Sequence, residues 1–160
     1  MNVFFFEFEN IILEISTEND KLRGINFVNS IYDKKGFINK FELKVLKELK
    51  EYFEGKRKKF SINYELQGTE FQKKVWKVLE NIPYGENLTY GEVAEKIGNS
   101  KASRAVGMAC NKNKIPIIVP CHRVVGKNGK LVGFAGGLAV KETLLTLEKG
   151  EKENERIRQV

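Results

Sequence analysis

At 160 residues and 41% hydrophobic, the chain is one large domain or two small ones, with apolar content enough for a core. Its 28 Lys+Arg against 21 Asp+Glu leave a net charge of +7, which suits a polyanionic partner or, equally, a solvated lysine face. Two cysteines exclude a disulfide framework, no apolar run reaches membrane-spanning length, and Met1–Glu7 lacks a basic signal region, so the sequence reads as cytosolic.

Val3–Phe8, Ile11–Ile15 and Leu22–Val28 are short β-prone runs separated by polar turns, which predicts a small antiparallel meander. Phe41, Val45, Leu46, Leu49, Tyr52 and Phe53 then share one helical face, with Gly55 at the C-terminal cap and Lys56–Lys59 as a basic loop. A boundary falls near 61–68, dividing an N-terminal domain, 1–64, from a C-terminal one, 65–160. Thr69-Glu70-Phe71-Gln72 is a capping box, and the helix it opens runs until Pro83-Tyr84-Gly85. Leu88–Ile97 and Ala102–Cys110 predict two short helices about the turn Gly98–Lys101, the spacing of a helix-turn-helix. In the second, Ala102, Ala105, Val106 and Ala109 mark the buried face, leaving Ser103, Arg104 and Gly107 outward. Ile115–Val119 predicts a short buried strand. The charged tail from Glu148 to Val160 frays or extends a last helix.

The chemistry concentrates at Pro120-Cys121-His122-Arg123-Val124, which holds one of two cysteines and the sole histidine. Imidazole and guanidinium beside a thiol are expected to lower its pKa from about 8.5 toward neutrality. Neighbours on an extended chain face opposite sides, so Cys121 and His122 need not touch. Apart from this pair the only Cys or His is Cys110, too few for a structural zinc site; Cys110 reads as a buried, inert thiol. The residues leave room for a thiol hydrolase using Cys121, His122 and Asn113 or Glu148, and for a non-catalytic helix-turn-helix regulator.

Five blocks narrow that choice: Leu88-Thr-Tyr-Gly-Glu-Val-Ala94, Lys101-Ala-Ser-Arg-Ala-Val-Gly107, Asn113, the Pro-Cys-His-Arg core, and Gly133-Phe-Ala-Gly-Gly-Leu-Ala-Val-Lys141 with Leu144-Leu145. In order and spacing they resemble the O6-alkylguanine-DNA alkyltransferases, also called methylated-DNA–protein-cysteine methyltransferases. The resemblance implies an α+β protein. A small ribonuclease-H-like α/β module, mainly structural, would precede a mostly helical, winged-helix-like domain carrying the helix-turn-helix. It implies a monomer without cofactor or metal, acting on double-stranded DNA that carries O6-alkylguanine, with O4-alkylthymine a second candidate. Cys121 would accept the alkyl group in a single irreversible turnover. His122 would act as base through a water, Glu148 would orient it, Asn113 would brace the active-site turn, and Tyr90 would serve O6. Arg104 would fill the stack left by a flipped base, while Tyr90, Gly91, Asn99, Lys101, Ala102, Ser103 and Lys127 would meet the DNA. Val124, Phe134, Ala135 and Gly136 would form the base pocket. Ala135, Phe134 and Thr143 depart from the commoner serine, tyrosine and tryptophan, which puts O6 hydrogen bonding and the packing beneath the site in question.

Overall fold

Alternating apolar residues build the first layer. A computed structural model describes residues 1–33 and 36–150. In it β1 (Asn2–Phe8), β2 (Ile11–Glu18) and β3 (Lys21–Val28) form an antiparallel sheet in the order β1-β2-β3. Phe4, Phe6, Leu13 and Ile15 turn one face inward with a period of two, and on β3 Leu22 and Ile25, three residues apart, share that face because the β2–β3 register shifts at Ser16/Thr17. Asn19 and Asp20 both take positive φ, 53° and 55°, the backbone of a tight hairpin turn.

Helix α1 (Lys40–Phe53) is opened by a capping box between Asn39 and Glu42 and buries Val45, Leu49, Tyr52 and Phe53. Phe53 stacks on Phe6 and Phe8 with ring centroids 5.5 and 5.2 Å apart, which fixes the helix on the sheet. Helix α2 (Glu70–Glu80) starts at the expected Thr69–Gln72 box. Its Trp76 is buried and donates its indole N–H to the Ala109 carbonyl at 2.8 Å, tying α2 to a later helix.

That later pair is α3 (Tyr90–Lys96) and α4 (Ser103–Asn111), joined through residues 97–102. The helix expected from Leu88 begins only at Tyr90. Thr89 caps it with Glu92, a box the sequence contained, and frees Leu88 and Thr89 to form β4, which pairs in parallel with β5 (Val124–Val125). On α4, Ala102, Val106, Ala109 and Cys110 are buried, whereas Ala105 is exposed and belongs to the outer face. Helix α5 (Leu138–Glu148) follows Gly137, whose φ of 92° lets the chain turn into it.

The architecture is thus mixed α/β, a small antiparallel sheet with helices. Buried apolar residues from Phe4 on β1 to Leu144 on α5 form one core, and the Ile25 amide of β3 donates to the Lys114 carbonyl at 2.8 Å. Among the described residues no helix is long and apolar enough to cross a membrane. The expected behaviour of the tail falls mostly on 151–160, outside the described residues. Removing the α2 cap with Thr69→Ala is expected to cost about 1 kcal/mol. That should lower the thermal midpoint by roughly 2–4 °C in calorimetry, with Thr69→Ser unchanged.

Candidate active site

Residues 113–119 do not form the expected strand. Asn113 Nδ2 donates to the Val119 carbonyl at 2.8 Å and its Oδ1 accepts the Ile115 amide at 3.0 Å. The Val119 amide returns to the Ile115 carbonyl at 3.0 Å, so the segment closes into a tight turn. Pro116 and Pro120 offer no amide for a ladder, and the side-chain amide of Asn113 takes over part of that role. At the tip Ile117 has φ 76°, a conformation that costs a β-branched residue on the order of 1–3 kcal/mol. The side chain is 1% exposed, so burial offsets the strain.

The turn delivers Cys121–Arg123 as one 3₁₀ turn, not extended chain. At three residues per turn, successive side chains fan out by about 120°, so Cys121, His122 and Arg123 point in three directions. Two of the three converge on Glu148 at the end of α5, which is 5% exposed. Its Oε2 accepts from Tyr52 Oη at 2.6 Å, from His122 Nε2 at 2.6 Å and from Arg123 Nη2 at 3.0 Å. Its Oε1 accepts from Arg123 Nε at 2.8 Å, and Arg123 Nη1 donates to the Ile82 carbonyl at 2.6 Å.

Burial alone would raise the Glu148 pKa. The hydrogen bonds of His122 and Arg123, with the charge of Arg123, reverse this and bring it down to about 2. Burial pushes the His122 pKa down against the pull of Glu148, so the ring is neutral at pH 7 and the charge holding the carboxylate ionised is that of Arg123. An ionised carboxylate has no proton to give, so Nε2 of His122 carries the hydrogen and Nδ1 holds the free lone pair. That Nδ1 is buried and has no hydrogen-bond partner among the described residues.

Cys121 departs from expectation. It is 7% exposed, and burial pushes its thiol pKa up, against smaller lowering effects from an Asn113 hydrogen bond, the Lys141 charge and its own backbone N–H. The adjacent imidazole is neutral and the adjacent guanidinium is turned to Glu148, so neither supplies the stabilisation the sequence suggested. The resting group is a thiol. Cys110 is likewise buried, its pKa raised to about 12 by burial and then by Cys121, as an inert thiol should be.

Tyr90 begins α3 and hydrogen-bonds through its hydroxyl to the Val132 carbonyl at 3.1 Å. Burial, then the charges of Cys110 and Cys121, raise its pKa to about 12, so it keeps its proton. Its ring lies where a Cβ on Gly107 of α4 would meet it at 3.8 Å, and the two border a groove of about 400 Å³ with Arg104, Met108, Val132 and Gly133. Arg104 is exposed along the groove, and Ser103 and Gly91 are half-buried nearby. Asn99 and Lys101 are exposed in the α3–α4 turn, Ala102 is buried, and Lys127 is exposed just after β5. Of the expected pocket residues, Val124 is sealed in β5, Ala135 is exposed, and Phe134 and Gly136 lie against Phe27 of β3. Thr143 is exposed, so its departure leaves the packing beneath the site untouched.

The family model for the DNA-binding domain of 6-O-methylguanine DNA methyltransferase matches residues 70–150. A methylated-DNA–protein-cysteine methyltransferase of Methanosarcina acetivorans is 49% identical over 149 residues, covering 88% of this chain and 95% of its own. The chain belongs to the methylated-DNA–protein-cysteine methyltransferase family. The relative from Methanosarcina mazei is 59% identical over 109 residues, 68% of this chain and 69% of that one. The Mycobacterium tuberculosis OGT in complex with DNA shares the fold with a TM-score of 0.85 and 38% identity over 94% of both chains. An O6-methylguanine DNA methyltransferase of Methanococcus jannaschii gives a TM-score of 0.69 and 32% identity over 92% of this chain and 94% of its own.

Three residues of this methyltransferase site escaped the sequence. Tyr52 was counted as an apolar helix position, although a tyrosine on a buried face needs a partner for its hydroxyl. Arg123 was read as a neighbour of the thiol and proves to be the counter-charge of Glu148. Lys141, inside a quoted block but without a role, is buried with Nζ donating to the Val132 and Gly133 carbonyls at 2.9 and 3.4 Å, and it lies 5.8 Å from the Tyr90 ring. Burial depresses its pKa, which Cys121 and Cys110 partly restore.

Glu148 titrates in the folded state below its ordinary 4.5, so its contribution is complete above about pH 4.5 and is lost as pH falls toward 2. His122, held below its ordinary 6.5, adds a loss that begins under about pH 6.5. Glu148→Ala is expected to cost about 3–5 kcal/mol at pH 7. Urea titrations across pH should show that its stability lacks the wild-type decline between 4.5 and 2.

Proposed function

We propose that this protein repairs double-stranded DNA carrying O6-alkylguanine by moving the alkyl group to Sγ of its own Cys121 in one irreversible turnover. The observation that carries the reading is the buried Cys121–His122–Glu148 set within electrostatic reach of Tyr90, at the foot of the α3–α4 pair. The names of the relatives, and the DNA in the complex of the mycobacterial protein, support the same partner and acceptor.

An alkyl group on O6 lies inside the duplex, where no side chain approaches from behind the carbon, so the nucleotide must leave the stack. The net charge of +7 favours the phosphate backbone through counterion release. Small outward residues on α4, Ser103 and Gly107, allow close approach, and Arg104 fills the gap left by the flipped base. Tyr90 crowds the 3′ phosphate and donates toward O6. Asn99, Lys101, Lys127 and Gly91 meet the backbone, and Phe134, Ala135 and Gly136 follow the everted base.

The thiol then loses its proton through a water to Nδ1 of His122, whose other nitrogen is held by Glu148. Sulfur attacks the alkyl carbon opposite O6. The S–C bond forms as the C–O6 bond breaks, and the electron pair left on the base takes a proton from Tyr90, which recovers one from the imidazolium. Guanine is restored and Cys121 is left as a thioether, which has no easy leaving group. One molecule repairs one lesion. O4-alkylthymine fits the same chemistry. On the same footing we read 1–64 as a ribonuclease-H-like module and 65–160 as a winged-helix-like domain, acting as a monomer, supported by β1–β3 with α1 and by the α3–α4 pair beside β4–β5.

Incubation with a duplex containing O6-methylguanine should add one methylene's mass to Cys121 by peptide mapping, stoichiometrically, and Cys121→Ala should abolish it. Arg104→Ala should slow transfer from the duplex at least tenfold more than transfer from free O6-benzylguanine. Equal losses on both substrates would refute the stack-filling role.

A further inference from the structure

The carboxylate that orients His122 is held from the far side by the N-terminal half of the chain. Tyr52, near the end of α1, lies 96 residues away in sequence and reaches Glu148 Oε2 at 2.6 Å, the same oxygen and the same distance as His122 Nε2. The residue has no exposed surface. Its ring is wedged edge-on against Phe53 and Tyr84, with centroids 5.2 and 6.2 Å away, and is tilted on Phe60 at 5.4 Å. The hydroxyl is therefore aimed by packing and has no freedom to leave the carboxylate.

We propose that Tyr52 is a positioning residue for alkyl transfer: its hydroxyl pins Glu148 Oε2 on the Nε2–H of His122 and tempers the basicity of that ring. The proposal rests on the alkyl-transfer reading above. Burial first, then Glu148, keep the Tyr52 proton in place, so it acts as a neutral donor. Among the described residues the charged and titratable groups that face the pair are these: Arg123 neutralises Glu148, Tyr84 lies with its ring 5.7 Å from the Arg123 guanidinium, and Lys141 and Cys121 stand on the thiol side. Without the Tyr52 donor, Oε2 presents more negative charge to His122 and is freer to swing. The imidazole becomes more basic and less well aimed. The N-terminal half then does more than stabilise the fold.

The test is Tyr52→Phe, which keeps the ring packing and removes only the oxygen. Tyr64→Phe serves as the control, because it deletes a tyrosine–glutamate bond of the same 2.6 Å length, to Glu80, that touches neither Glu148 nor His122. Single-turnover methyl transfer from duplex O6-methylguanine is measured from pH 5 to 9 in full-length protein, with circular dichroism to verify folding. Tyr52→Phe is expected to slow the plateau rate roughly tenfold, the scale of one charge-assisted hydrogen bond, and to move the acid limb to higher pH. Tyr64→Phe should match wild type in both. A folded Tyr52→Phe with the wild-type limb and plateau overturns the proposal while leaving the alkyl-transfer reading intact. So does a loss that Tyr64→Phe reproduces. Wild-type protein that fails to accept the methyl group overturns both. If Tyr52→Phe does not fold, Tyr52→Leu supplies the same comparison with a side chain that adds neither bulk nor a hydrogen-bond donor.

Discussion

A carboxylate with almost no exposed surface is costly unless its charge and its lone pairs are met. Glu148 meets that condition with four donors from two parts of the chain: Tyr52 on α1, and His122 and Arg123 on the 3₁₀ turn, with Arg123 also reaching the carbonyl of Ile82 after α2. The rest of the site follows. The ionised carboxylate dictates which nitrogen of His122 bears hydrogen, and the guanidinium that keeps it ionised is thereby withdrawn from the thiol. One buried anion sets the register of α1, α5 and the active-site turn at once, because moving any of the three would strand a charge.

The nucleophile is consequently stored in its unreactive form. Cys121 is closed off and protonated, and its pKa is raised by burial. A protein that is spent by a single reaction gains from this, since a free thiolate would be consumed by any soluble electrophile or oxidant. In the mechanism proposed above, reactivity depends on a base being in place beside a substrate, the part assigned there to the buried Nδ1 of His122. The turn that presents the cysteine is itself constrained, with Asn113 bridging Ile115 and Val119 and Ile117 held at positive φ. Such strain persists because the packing around the turn, with Ile117 1% exposed, over-determines its conformation.

The α3–α4 side is built on a different principle. Helix α4 is held from behind by Trp76 on the Ala109 carbonyl and by buried Val106, so its outer surface needs little bulk. Gly107 lies beside the Tyr90 ring, where a Cβ would make an ordinary van der Waals contact at 3.8 Å. Lys141 stands between the two sides, near the Tyr90 ring and within reach of the Cys121 charge, and links the groove to the nucleophile electrostatically.

Much of this was legible in the residues because its cause is local. Short β-prone runs between polar turns specified β1–β3, the Thr69–Gln72 pair specified where α2 starts, and the Pro-Cys-His-Arg core with its flanking blocks pointed to the family. Where the local reading erred, a longer-range demand had prevailed. Leu88 and Thr89 left the helix to pair with Val124 and Val125, and the apolar run at 115–119 became a turn because Asn113 takes its backbone bonds. The thiol's acidity and the role of Tyr52 were beyond any sequence reading. Both depend on which way a side chain faces across 25 to 96 residues of chain, and that is settled only when the helices close around Glu148 and water is excluded.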